Sequence, residues 1–352
     1  MGFVRYYSWS KYENFIRRLL IRLLGFDYGR LASIHYEDSP ARVEYTICEK
    51  LSDSSFISLP HVLTGEKKSH AFQERFLVEY SNVIVDSDPG VFLNSKGQII
   101  KESSSWPGDR LLYAWPSPRK QKISKLKTYS DSLFMPSYGF YHWLIEDLPT
   151  FIQCASYFPN RTVLVNKNAP RYVHDFLESI PNKVEYTEKF FVAKKMASVT
   201  RGDDVGWPLK SDVSLLLEFF KAERKSVEGR KLYISRKNSS RSPTNEIYVE
   251  EMLKGRGFEI VHTENLHLRK AINLISTADV LMGPHGAGLS GQVWMKPGSR
   301  CIDLAASSYW TEDIYRLSAI LNHEYIPFIY GTETQNEVNL ENLVHFLDLN
   351  GL

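Results

Sequence analysis

Three cysteines in 352 residues, Cys48, Cys154 and Cys301, are too few and too scattered for a disulfide framework or a zinc site. Such sparse use fits a reducing compartment, and each reads as a small apolar filler. Charge of one sign is lacking as well. The 43 Lys and Arg against 41 Asp and Glu leave a net +2, which gives no electrostatic argument for nucleic acid as a partner. No apolar run approaches the ~20 residues that a membrane span needs. The first residues hold no long apolar stretch before a small-residue cleavage site, so no secretory leader is expected. No G-x-x-x-x-G-K-[ST] occurs, which removes the P-loop fingerprint. Low-complexity tracts and repeats of 20–50 residues are missing too.

What is present is an aromatic-rich globular composition, 43% hydrophobic with 20 Tyr, 19 Phe and 7 Trp. A chain of this length usually divides its core, so two domains are expected. Phe15, Ile16, Leu19, Leu20, Leu23 and Leu24 recur at helical spacing, with Arg17, Arg18 and Arg22 between them. A helix so patterned docks on its own domain, the favoured expectation, or lies on an anionic membrane surface, which would make residues 12–26 a peripheral membrane contact. Over 40–115, V-E-Y-T-I, F-L-V-E-Y, N-V-I-V and G-V-F-L-N stand between turn signals such as D-P-G and S-K-G, and read as short strands and hairpins.

From about residue 130 the period changes. A helix is expected over 141–157, a strand over 162–165, a helix over 172–180 and a strand over 184–186. A second alternation places helices over 212–228, 245–255 and 268–277, a helix start over 287–294, and strands over 231–234, 258–261, 280–282 and 300–304. Thr244 or Asn245 is the expected N-cap of the helix over 245–255. Strands alternating with helices imply parallel pairing and a ligand at the carboxyl ends of the strands. Gly202, Gly206 and Pro208 punctuate 190–212, so the expected division is 1–205 and 206–352.

Residues 278–290, A-D-V-L-M-G-P-H-G-A-G-L-S, are the most informative stretch. An apolar strand runs into a turn containing Gly283, Gly286 and Gly288, then into a helix start. N–H groups at such a junction lack intrahelical partners and sit at the positive end of a helix dipole, a ready phosphate site. Glycine permits close backbone approach, and His285 adds a donor in mid-turn. The plain alternative is a tight β–α turn. Ser235, Arg236 and Arg241 follow the strand at 231–234 and would make the crevice beside that turn electropositive, with the Arg fork suited to phosphate. Asp303 ends a strand where an α/β nucleotide domain often holds ribose hydroxyls.

In the first half, G-F-Y-H-W-L-I-E-D-L-P over 139–149 sets His142 and Glu146 on one helix face. A His–carboxylate pair suits proton abstraction with either member as base; the alternative is one structural contact along a core helix. Asp86-Ser87-Asp88 has the D-x-D pattern that holds a divalent ion with a nucleotide sugar. Pro89-Gly90 follows it, which favours a hairpin turn.

Together, H-x-x-x-[DE] with a nearby L-P, a strand ending I-S-R, Asn245-Glu246, A-D-V-x-x-G-x-H-G-A-G-L and P-G-x-x-[CV]-[IL]-[DE] make the chain similar to glycosyltransferase family 61 over roughly residues 130–310. That family includes bacterial capsular-polysaccharide enzymes, plant xylan xylosyl- and arabinosyltransferases, and animal O-linked N-acetylglucosaminyltransferases. The resemblance implies a GT-B-like α/β fold, two Rossmann-like domains facing a cleft, here with a β-rich N-terminal extension. It implies an inverting, metal-independent transferase that moves a sugar from a nucleoside diphosphate sugar, UDP favoured, to a hydroxyl of a glycan or lipid-linked glycan. His142 and Glu146 then fall on the acceptor side. Ser235, Arg236, Arg241, Asn245, Glu246, Gly283, His285, Gly286, Ala287 and Gly288 fall around the donor diphosphate. Arg269-Lys270 stands where the family often has Glu-Gln, and Ser290-Gly291 where it often has Thr-Asn, which leaves the donor sugar open. No cofactor beyond the donor, no metal and no nucleic acid are expected, and the expected location is cytoplasmic. Two other readings compete: a nucleotide- or anion-binding module without chemistry, against which the His142/Glu146 pair argues, and a metal-dependent transferase using Asp86 and Asp88.

Overall fold

The computed structural model describes residues 45–62, 64–88, 90–94, 100, 103, 123–137, 139–200, 205–225, 227–239, 241–332 and 335–352. The amphipathic stretch at 12–26 and the S-K-G turn at 95–97 lie outside the described residues. The chain opens with β1 (Tyr45–Ser52), β2 (Ser55–Pro60), β3 (Lys67–Phe72), β4 (Arg75–Asp86) and β5 (Val91–Leu93). β6 (Thr128–Met135) leads into helix α1, which joins Phe140–His142, a π-helical turn Trp143–Asp147 and Leu148–Tyr157. Then come β7 (Thr162–Asn166), α2 (Arg171–Leu177), β8 (Val184–Thr187) and β9 (Phe190–Val199). These build a seven-stranded mixed sheet of order β1-β4-β9-β6-β7-β8, with β5 on β4. β2 and β3 form a hairpin of their own.

The β-rich start is therefore not a prelude to the first α/β unit but part of its sheet. The F-L-V-E-Y and N-V-I-V segments, expected as separate strands, run on as the twelve residues of β4. Asn82, between them, takes a left-handed φ of 54° without breaking the pairing to β9. Asparagine tolerates that conformation better than the β-branched residues around it.

After α3 (Lys210–Phe220) the second half is β10 (Lys231–Ile234), α4 (Glu246–Gly255), β11 (Phe258–Val261), α5 (Leu268–Ile275), β12 (Val280–Pro284), a 3₁₀ segment Ala287–Trp294, β13 (Arg300–Ala306), α6 (Asp313–Leu321), β14 (Glu324–Tyr330) and α7 (Leu340–Leu349). The five strands are all parallel, in the order β11-β10-β12-β13-β14. Two expectations need correction. The helix expected over 212–228 stops at Phe220 because Lys221 turns left-handed, with φ 48°, and ends it. The helix start at Ala287 is 3₁₀ rather than α. Ser290 Oγ donates back to the Ala287 carbonyl at 2.6 Å, and two of these eight residues are glycine, so the wider α turn is poorly favoured.

One apolar core joins the sheets through their helices. Leu144, Leu148 and Phe151 of α1 meet Leu216 and Phe220 of α3, Ile272 and Ile275 of α5, and Leu289 and Trp294 of the 3₁₀ segment. The edge-on Phe220–Trp294 contact, 5.1 Å between centroids, adds ~0.5–1.5 kcal/mol beyond burial. Cys154 and Cys301 are buried and Cys48 half-buried, all three as free thiols. Among the described residues no helix is long and apolar enough to cross a membrane.

Candidate functional site

The order β11-β10-β12 makes β10 and β12 neighbours whose following loops leave in opposite directions. That is a topological switch point, where open parallel sheets leave a crevice at the carboxyl ends of their strands. The loop after β10 carries Arg236 and Arg241, and the loop after β12 carries His285 and Gly286. Arg236 bridges them: Nη1 donates a short bond to the His285 carbonyl and Nη2 donates to Ser239 Oγ at 2.9 Å. A Cβ at Gly286 would collide with that guanidinium, and Gly286 has a φ of 141° that side chains rarely adopt. The Arg241 guanidinium lies 4.5 Å over the Tyr309 ring. Burial, with the neighbouring charge of Arg241, pulls Arg236 below its ordinary pKa. Two guanidinium groups thus come together at the ends of β10 and β12, Arg236 half-buried and Arg241 exposed, where an anion would offset their mutual repulsion.

Most of the other residues expected around the anion hold this loop in place. Glu246 Oε1 accepts from the Arg236 N–H at 2.6 Å and from the Tyr233 hydroxyl at 3.3 Å, and Oε2 takes a short bond from Ser242 Oγ. Ser235 Oγ donates to Glu250 Oε1 at 2.6 Å. Asn245 does not cap α4 with its side chain; it exchanges hydrogen bonds of 2.8 and 3.0 Å with the backbone of Val338. A Cβ at Gly283 would stand 2.8 Å from the Ile234 carbonyl, and one at Gly288 2.8 Å from Ile234 Cγ2. These two glycines admit the neighbouring strand. Ala287 is half-buried beside them.

His285 and Asp303 are likewise turned inward. Thr311 N–H donates to His285 Nε2 at 3.3 Å, so the ring proton is on Nδ1 and goes to Asp303 Oδ2 at 2.8 Å. Tyr325 donates to the same oxygen at 2.8 Å, and Asp303 is fully buried. The turn also carries the spacing G-x-G-x-x-G after a strand, at Gly286, Gly288 and Gly291. In the dinucleotide fingerprint that spacing follows the first strand of the unit and works with an acid on the ribose. Here it follows β12, and Asp303 Oδ2 is taken by His285 and Tyr325, while Oδ1 is buried without a hydrogen-bond partner among the described residues.

On α1, His142 Nδ1 and Glu146 Oε2 are 3.1 Å apart. Glu146 is buried, and its Oε1 accepts from the Gly206 N–H at 2.9 Å. A carboxylate accepts, so Nδ1 carries the ring proton and Nε2 is the nitrogen with a lone pair. The pair stands at the π-helical turn, a feature frequent at functional sites. The segment 309–313, unmarked by any motif, links it to the crevice. Tyr309 meets Arg241, Thr311 holds His285, and the Asp313 carbonyl accepts from the Tyr141 hydroxyl at 3.3 Å. Its position after a parallel strand was the available signal.

Asp86 and Asp88 belong to a hairpin turn between β4 and β5, where Gly90 N–H donates to the Asp86 carbonyl at 3.0 Å. Asp88 accepts from Asn166 Nδ2 at 2.8 Å and lies 3.1 Å from Lys189 Nζ. Burial pushes the Asp86 carboxyl up to about 7, against the pull of Lys189. Among the described residues one further cluster has metal-ligand chemistry: Asp175, Glu178 and His267 offer atoms within 4.8 Å of one another. His267 Nδ1 accepts from the Arg269 N–H at 3.2 Å, so Nε2 carries the proton and donates to Glu178 Oε2 at 3.2 Å. That nitrogen has no lone pair for a metal, and the cluster is a hydrogen-bonded contact between α2 and α5.

Residues 140–302 match the family described as Glycosyltransferase 61. The xylan glycosyltransferase MUCI21 of Arabidopsis thaliana is 30% identical over 111 residues, 29% of this chain and 22% of that protein. The chain thus spans about a fifth of that relative's length. Among solved structures, the dodecameric iron-containing heptosyltransferase TibC in complex with ADP-D-beta-D-heptose aligns over 74% of this chain and 80% of its own, at 12% identity and a TM-score of 0.30.

Proposed function

We propose that this chain, whose residues 140–302 belong to glycosyltransferase family 61, is an inverting glycosyltransferase that moves a sugar from a nucleoside diphosphate sugar to an acceptor hydroxyl. The observation that carries the reading is the convergence of Arg236, Arg241 and the Gly286 turn at the β10/β12 switch point, with His142–Glu146 one short segment away. The diphosphate sits on the two guanidinium groups and the turn backbone, which stabilise charge as the leaving group departs. His142 is the base and Glu146 fixes its tautomer. The acceptor hydroxyl gives its proton to His142 Nε2 as its oxygen attacks the anomeric carbon. The bond from that carbon to the diphosphate oxygen breaks on the opposite face, so configuration inverts.

In this reading the five-stranded sheet is the donor lobe and the seven-stranded sheet the acceptor lobe, as in a GT-B enzyme. UDP is the nucleotide, and the acceptor is a glycan or lipid-linked glycan met in the cytoplasm. Residues 12–26 supply a peripheral membrane contact. The guanidinium sink calls for no metal, and Lys189 and Asn166 already occupy Asp88. A bare anion-binding module has no use for a buried carboxylate that orients an imidazole.

His142→Ala and Glu146→Gln test the assignment. Each is expected to lower turnover ~10²–10⁴-fold, with calorimetric UDP affinity near wild type. Normal turnover in both variants would show that the pair is a structural contact. Loss of UDP binding in both would show that donor and acceptor lobes are misassigned.

A further inference from the structure

We propose that Asp313, the first residue of α6, is a positioning residue for His142, a second carboxylate brought to the base from the donor side. The proposal rests on His142 being the base. Its geometry runs through Gly206. The Gly206 N–H holds Glu146 Oε1 at 2.9 Å, and a Cβ on the same glycine would collide with Asp313 Oδ1. The Asp313 carboxylate therefore lies against the backbone that grips Glu146, beside the carboxylate–imidazole pair.

Two other bonds hold it there. The Tyr141 hydroxyl, next to His142 in sequence, donates to the Asp313 carbonyl at 3.3 Å. Arg316, one turn further along α6, donates from Nη1 to the Gly206 carbonyl at 3.3 Å and stands 3.8 Å from Asp313 Oδ1. Gly206 has a φ of 69° and no Cβ, so only glycine lets the connection between the halves pass under the carboxylate.

Among the described residues, the charges facing His142 can be named element by element. α1 supplies Glu146 and the neutral Tyr141. α6 supplies Asp313 and the opposing Arg316. α3, packed on the π-helical turn, has Asp212, already paired with Arg75 at 2.8 Å. The 3₁₀ segment, packed on the start of α1, carries no ionisable side chain. Burial pushes the Asp313 carboxyl up, while His142 and Arg316 favour its ionised form. When His142 takes the acceptor's proton it becomes an imidazolium facing, among the described residues, the carboxylates of Glu146 and Asp313 and the opposing Arg316. Asp313 makes that state easier to reach, and its neighbour Thr311 is bonded to His285 in the donor turn.

Asp313→Asn keeps the shape and removes the charge. The acid limb of the pH profile of kcat/KM reports the base in the free enzyme. In D313N it is expected to move to lower pH by about one unit, as for loss of an opposite charge that acts on the imidazole. Turnover should fall roughly tenfold, short of the ~10²-fold or more expected for losing the base. UDP affinity should not change. Asp313→Glu, which restores the charge, should return the limb toward wild type. Asp313→Ser, which also removes the charge but leaves Gly206 and its bond to Glu146 in place, should shift the limb as D313N does, and stands in for it if D313N does not fold.

An unmoved limb in folded D313N, or an equal shift in D313E, overturns the proposal. His142→Ala run alongside separates the two levels. Normal turnover there overturns the base assignment itself. An inactive H142A beside an unshifted D313N overturns the role of Asp313 alone.

Discussion

At the residue scale, glycines that look alike in the sequence do different physical work. Gly286 is needed for its backbone angle and for the Arg236 guanidinium that lies over it. Gly283 is needed because β10 passes 2.8 Å from where its Cβ would be. Gly286→Ala is expected to displace Arg236 and weaken UDP binding about tenfold or more, which is ~1.4 kcal/mol, and to lower the melting temperature because alanine is strained at that backbone angle. Gly283→Ala should instead cost ~1–3 kcal/mol of stability by overpacking, with UDP affinity kept in the folded protein. Calorimetry and thermal melts on the two variants decide it. Equal UDP affinity in wild type and G286A would remove the turn from the anion site.

At the element scale, the β2–β3 hairpin stands apart from both sheets yet is tied to the start of α6. His70 stacks on Trp207 at 5.0 Å, and Arg316 covers the same ring at 3.9 Å. Lys68 donates to Glu312 Oε2 at 2.8 Å, and His61 Nε2 lies 3.3 Å from Oε1. Burial works against ionisation of Glu312, but Lys68, Arg316 and His61 outweigh it and hold its carboxyl below the usual range. Glu312→Gln leaves Lys68 and Arg316 without their counter-charge, a local cost of ~1–3 kcal/mol. Hydrogen exchange over residues 55–72 should then speed up ~10-fold or more, since local opening follows the local free energy. Unchanged protection would mean that the stack on Trp207 alone anchors the hairpin. Nothing in the hairpin's alternation pointed to this, because its partners are more than 100 residues away, 244 in the case of Lys68 and Glu312.

At the scale of the whole molecule, the question is whether a metal or the guanidinium pair stabilises the leaving group. Activity is expected to survive EDTA. Loss on chelation, restored by manganese, would revive the role of Asp86 and Asp88. Asp86 adds a test through stability. Its carboxyl is raised from 3.8 to about 7 in the fold, so between those values the folded chain holds a proton that the unfolded chain has released. Stability from this group is therefore greatest below the unfolded value and is lost as pH rises toward 7. Asp86→Asn removes that loss. It should be at least as stable as wild type at pH 8, gain nothing at pH 4, and keep its turnover. Melting curves at the two pH values check it. A variant destabilised at pH 8 would mean that the ionised carboxylate is held by Lys189 more firmly than its burial implies.

Much was legible locally. The α/β alternation of the second half follows from hydrophobic period, and the His142–Glu146 contact from a four-residue helical spacing. The basic loop and the glycine turn could be seen as separate motifs. Their meeting could not, because it depends on β10 and β12 pairing across the intervening β11, which no local period encodes. The same limit explains His285 and Asp303. Each reads as a ligand by its residue type, and a partner 18 positions away makes them a buried structural pair. It explains Gly206, whose N–H reaches Glu146 across 60 positions, and Asp313 beside it. Period and spacing determine which face a side chain takes. Only the packed chain decides what that face meets, since hydrogen bonds and charges are satisfied by whatever neighbour the fold brings near.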